Sequence, residues 1–257
     1  MTSAKPSAIP RWRGILLPVA LLAFAEITMR MADVQSDTLA RPTDVLAALW
    51  RAMQDGSLLA GTAQTLGNAL AGLAIGGGIG LLAGLWFGAA PRAGRMAGLT
   101  IDVLRPLPSV ALIPIAMMVF GFGHGLESSV VAFTCIWPML AFAQDGVSRV
   151  EPRLFEVSRI LGLGTVARAW KVILPAALPR IFVGLRLSMG IALTIAVTVE
   201  IVANPMGLGY ALAMAQQGLD PALMLALVLW IGILGWGLNA VLLAMQSRLF
   251  AHRGAAA

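Results

Sequence analysis

Long apolar runs separated by short polar or charged segments organise this chain. Six runs, at 14–31, 65–89, 107–122, 128–143, 183–203 and 222–245, approach the about 20 mostly apolar residues a helix needs to cross a hydrocarbon core roughly 30 Å thick. The third and fourth are short and hold Pro114 and Pro138. Kinks or shielded ends are expected there, because proline removes a backbone donor and crowds the preceding turn. The pattern predicts an all-α polytopic membrane protein with six transmembrane helices and both termini on one side.

Composition agrees. Of the 257 residues 59% are apolar and 12% charged, whereas a soluble domain is about a quarter charged. Cys135 is the single cysteine, which excludes an intrachain disulfide and a cysteine metal site. No catalytic residue, metal or cofactor is expected. The net charge is +6, and 15 of the 18 lysines and arginines fall in segments that share a side with the N-terminus. Arg30, Arg41 and Arg51 fall on the other side, with Asp33, Asp37, Asp44, Asp55, Glu127 and Asp220. This bias predicts cytoplasmic termini and makes the charge a topology signal rather than a nucleic-acid footprint.

The expected organisation is a cytoplasmic tail (1–13), a first transmembrane helix with an outer interfacial helix (14–64), a five-helix core (65–247) and a cytoplasmic tail (248–257). Ala23-Phe24-Ala25 has the spacing of a signal cleavage site. Apolar character continuing through Ile27 and Met29 favours retention of the span. Pro42 opens the interfacial helix and Trp50 anchors it. Within the second span Gly72, Gly76, Gly80, Gly84 and Gly88 recur every fourth residue, a ridge on which another helix can seat closely, and Gly77 and Gly78 widen it. No Gly-Lys-Ser/Thr follows, so the chain is not expected to hydrolyse ATP.

The longest polar stretch, inside 144–182, mixes charges with apolar residues at helical spacing. It predicts two short helices broken at Gly162-Leu163-Gly164 and halted near Pro175, with docking to a soluble partner or a self-packed cap as its roles. Glu156 is expected to pair with Arg153 or Arg159.

In this stretch Glu156, then Gly162 six residues later, then Ile173-Leu174-Pro175 resembles the cytoplasmic motif of ABC importer permeases. Val157 and Ser158 stand where that motif has alanines. Pro175 to Pro179, Gly184-Leu185-Arg186, Val199-Glu200-Ile201 and Gly207-Leu208-Gly209-Tyr210 resemble the family's continuation, and Leu104 to Pro108 with Ala111 to Pro114 its third span. The likeness runs from about Leu16 to about Leu249 and is closest to the branch importing nitrate, taurine and alkanesulfonates. The resemblance implies a type I importer fold and a 144–182 loop that couples to an ATPase through Glu156, Gly162, Ile173, Leu174 and Pro175. It implies as partners a cytoplasmic ATP-binding cassette ATPase dimer, an external or periplasmic substrate-binding protein, a second permease copy and the bilayer, with no nucleic acid. The cargo is then a small polar, anionic solute.

Charges inside a bilayer are costly and therefore informative. Glu26 reads as structurally paired. Glu200 in the fifth span, with Thr194, Thr198 and Asn204, and Ser109 at the start of the third, are pathway candidates. Arg105 and Arg186 read as interfacial side chains that snorkel, and His124 as a solvated loop residue. Two other classes fit less of the pattern. An ion-coupled secondary transporter would use Glu200 as its coupling site but has no need of the structured loop, and a membrane scaffold needs neither Glu200 nor kinked spans.

Overall fold

The computed structural model describes residues 13–31 and 39–250. Lys5, Arg11, Asp33, Asp37, Arg253 and most of the two tails lie outside the described residues. Every regular element among those described is helical: α1 (Arg13–Met31), α2 (Pro42–Gln54), α3 (Ser57–Ala89), α4 (Pro91–Leu104), α5 (Ile113–Phe120), α6 (His124–Ser148), α7 (Pro152–Ile160), α8 (Thr165–Arg168), α9 (Leu174–Val202), α10 (Leu208–Gln217) and α11 (Pro221–Phe250). Such runs can satisfy every backbone donor and acceptor internally, which a bilayer demands. The chain divides into two units, one of residues up to Ser57 with Leu212–Trp230, the other of Leu58–Ala211 with the chain from Ile231.

In the first unit, Glu26 of α1 pairs with Arg30 one turn on and accepts the Thr43 backbone N–H at 3.1 Å and the Thr43 hydroxyl at 2.9 Å. Thr43 is in the first turn of α2, whose Pro42 leads the helix. The Glu26 carboxylate thus meets an unsatisfied N–H at the positive end of α2, the structural role expected of it. Trp50 projects from α2 and is exposed.

The second unit is built around α6, which packs most extensively along α9. The glycine ridge of α3 is what brings α3 against α6. A Cβ at Gly76 would lie 1.9 Å from the Ala132 carbonyl oxygen, at Gly80 2.3 Å from that of Ile136, and at Gly84 2.5 Å from that of Leu140. Gly78, expected to widen this surface, instead faces open space. On α9 small residues repeat the device, with Gly184 against Phe142 and Ala192 and Ala196 in a core with Cys135, Val131 and Leu73.

Four segments, α3, α6, the run Thr165–Val202 and α11, are long and apolar enough to cross a membrane among the described residues. A fifth arises if α4 and Ser109–Phe120, bent by 82°, count as one. The expected third span is thus a broken one. Pro106 and Pro108 cannot donate to a helix ladder, and Pro108 is extended at φ −63°, ψ 112°, which turns the chain. Pro138, in contrast, is absorbed in α6, which runs unbroken for 25 residues. The fourth span is therefore not short.

Candidate functional site

Three local structures carry the candidate residues. The first is the 144–182 loop, whose two stems are clamped together. Asp145 near the end of α6 binds Arg149 at 2.7 Å and Arg180 of α9 at 3.5 Å, and a Cβ at the adjacent Gly146 would meet Ala177 at 3.1 Å. α7 ends in a Schellman turn: the Gly162 N–H donates to Arg159 O and the Leu163 N–H to Ser158 O, both at 3.0 Å. Gly162 has φ +65°, a conformation that side chains with a Cβ adopt only with strain.

Beyond this turn the second loop helix does not halt at Pro175. α8 passes through a π turn at Ala169–Ile173 directly into α9. The wider turn takes up the ladder bond that Pro175 cannot make and the crowding of its ring against Lys171 O. Ile173 is buried with Val147, Val150 and Ala177, and Leu174 packs on the same cluster. Ile173, Leu174 and Pro175 thus form the joint between loop and spanning helix. On the other side Val157, Ile160, Leu161, Val166 and Trp170 are exposed. Glu156 is exposed too and makes no ion pair among the described residues. Arg153 lies nearest Glu151, at 3.8 Å.

The second structure is a buried polar cluster. Glu200, 1% exposed, accepts the Thr65 hydroxyl at 2.7 Å through Oε1 and the Gly209 N–H at 2.7 Å through Oε2. Thr65 Oγ1 in turn accepts the Leu208 N–H at 2.9 Å. Together they satisfy the first turn of α10, whose approach needs glycine: a Cβ at Gly207 would lie 1.9 Å from Glu200 Oε1. Beside Glu200 lies Glu127, equally buried. Glu127 Oε2 accepts Asn68 Nδ2 at 2.6 Å and Asn204 Nδ2 at 2.7 Å, and Asn68 binds His124 Nδ1. His124, expected in a solvated loop, starts α6 and joins this network. Sequence reasoning named Glu200 and Asn204 but missed Glu127, Asn68 and Thr65. The apolar run starts at residue 128, which places Glu127 on the aqueous side by sequence, while the helix starts at His124.

The third is an open groove of about 830 Å³ along α9, lined by Phe142 of α6, by Arg186, Gly190 and Thr194 of α9, and by Asn239 of α11. Thr194 and Thr198 donate back to their own helix, to Gly190 O at 3.0 Å and Thr194 O at 2.7 Å. Only Thr194 of the five pathway candidates lines this groove. Glu200 and Asn204 are buried away in the cluster, and Ser109, half-buried, opens the 3-10 turn before α5. Arg186, expected at a helix end, lies well inside α9 and donates from Nε to Asn239 Oδ1 at 2.6 Å.

A family model described as binding-protein-dependent transport system inner membrane component matches residues 76–253. The chain belongs to that family. The putative aliphatic sulfonates transport permease protein of Bacillus subtilis strain 168 is 30% identical to this permease, covering 80% of this chain and 74% of its own length. The bicarbonate transport system permease protein of Synechococcus elongatus is 28% identical over 90% of both chains. The taurine transport system permease protein of Escherichia coli is 30% identical over 68% of this chain and 64% of its own. The permease therefore has the type I importer fold and is a multi-pass inner-membrane component of an ABC transporter. Its relatives are transport subunits, in keeping with a non-catalytic membrane role.

Proposed function

We propose that this permease carries a small oxyanionic solute, of the sulfonate or bicarbonate kind, handed over by an external binding protein. Two copies enclose the path, termini face the cytoplasm, and a pair of ATPase subunits grips the 144–182 loop. The observation that carries this reading is the loop's exposed apolar face. Val157, Ile160, Val166 and Trp170 are exposed among charged neighbours, and such a patch on a polar protrusion marks a protein interface. The joint at Ile173 to Pro175 supports coupling, because a push on α8 passes through the π turn into α9 without a flexible break. The oxyanion class rests on what the relatives' names say they transport and on the absence of acidic residues from the groove lining among the described residues.

An ion-coupled transporter with Glu200 as its site has less support, since both Glu200 oxygens already hold α10 and Thr65. The test is purification from the host followed by uptake in vesicles. ATPase subunits should be recovered with the permease, and uptake should stop when ATP is depleted while ion gradients persist. Uptake that instead follows the gradients, with no ATPase recovered, would overturn the reading.

A further inference from the structure

We propose that Arg186, positioned by Asn239, is an anion-binding residue of the transport path, holding two oxygens of a small oxyanion in the groove along α9. This assignment rests on the transport reading above for the direction of flow but on separate observations for the site.

Arg186 is the only charged residue lining the groove among the described residues, and Phe142, Val183, Leu187 and Ile191 supply apolar walls. An arginine within a spanning helix is costly unless it is partnered or faces water. Arg186 has no carboxylate partner among the described ion pairs. Its Nε is taken by Asn239 Oδ1 at 2.6 Å, which fixes the plane of the guanidinium. Its terminal N–H groups make no described hydrogen bond, and they are the pair that can meet two oxygens at once. Having given its oxygen to Arg186, Asn239 keeps its Nδ2 as a further donor. Thr194 is uncharged, and its hydroxyl proton is committed to Gly190 O. Gly190, between Arg186 and Thr194 on the same stripe, leaves the wall open, since a Cβ there meets nothing within 4 Å.

The same guanidinium could reach a lipid headgroup, whose phosphate is also an oxyanion, and the experiment separates the two sources. Cys135 is buried and is the chain's single cysteine, so Thr194→Cys offers one accessible thiol, two helical turns farther along α9 than Arg186. In membrane vesicles holding the complete transporter, this thiol is labelled with sulfonatoethyl methanethiosulfonate, itself a small sulfonate, and with its cationic trimethylammonium analogue. Both reagents should react, with the anion favoured about tenfold more than it is by a free thiol in solution. Arg186→Gln should abolish that preference, and Arg186→Lys, which keeps the charge without the fork, should fall between. If neither reagent reacts, α9 faces lipid, Arg186 serves a headgroup and the assignment fails. It fails equally if the preference survives Arg186→Gln. Loss of ATP-dependent uptake or of ATPase recovery in the unsubstituted chain, with the charge preference intact, would instead overturn the transport reading and leave the anion site standing.

Discussion

Glu200 accepts the backbone N–H of Gly209 at 2.7 Å, so a carboxylate near the end of α9 holds the first turn of α10. The contact draws its strength from burial, for a hydrogen bond shielded from water is stronger than an exposed one. It also explains the glycines that follow the span. Gly207 at φ +92° and Gly209, where a Cβ would lie 2.3 Å from Val197 O, let the chain fold back onto the carboxylate.

Glu200→Ala should therefore lower stability by about 3 kcal/mol, because it strands the Thr65 hydroxyl and the Gly209 N–H in a buried place. Thermal unfolding of the detergent-solubilised permease would read this as a clear fall in Tm. An unchanged Tm would show that the cluster does not anchor α10.

The glycine ridge makes a paired expectation. Gly76→Leu should destabilise by about 3 kcal/mol, since overpacking a tight interface forces the helices apart, and the protein should fail to accumulate in membranes. Gly78→Ala meets open space and should be neutral or gain up to about 1 kcal/mol in helix propensity. Immunoblots of membrane fractions compare the two.

Gly162→Val should cost about 1–2 kcal/mol locally by forcing a β-branched residue into the left-handed region. Its space is open, so the effect is on loop geometry alone. Membrane insertion should be normal and ATPase recovery reduced.

Val157→Glu leaves the permease core untouched, because Val157 is 51% exposed. A charge in a desolvated interface should weaken ATPase binding roughly tenfold or more, with Tm unchanged. Equal ATPase recovery from this variant and the parent would place the interface elsewhere.

Features set by neighbours along the chain were legible from sequence. The runs that became α3, α6, α9 and α11, the glycine repeat on one ridge and the turn at Gly162 follow from hydrophobic length, helical spacing and backbone freedom. The elements that differed were those where local signals compete. Prolines at 106 and 108 break a span, whereas Pro138 is carried inside one, and no local rule separates the two because neighbouring helices decide which lost donor is tolerated. Pro175 is a local stop signal, and a π turn carries the helix past it.

From sequence alone came the membrane class, the small-residue seam and the family motif from Glu156 to Pro175, because each depends on residues close along the chain. Tertiary structure alone decided that Glu127 stands beside Glu200, that Asn68 and Thr65 complete their cluster, and that Arg186 points into a groove rather than to a helix end. Those pairings span 56 to 143 residues or depend on the rotation of each helix about its axis. Packing of the whole bundle sets that rotation, and no stretch of chain carries it.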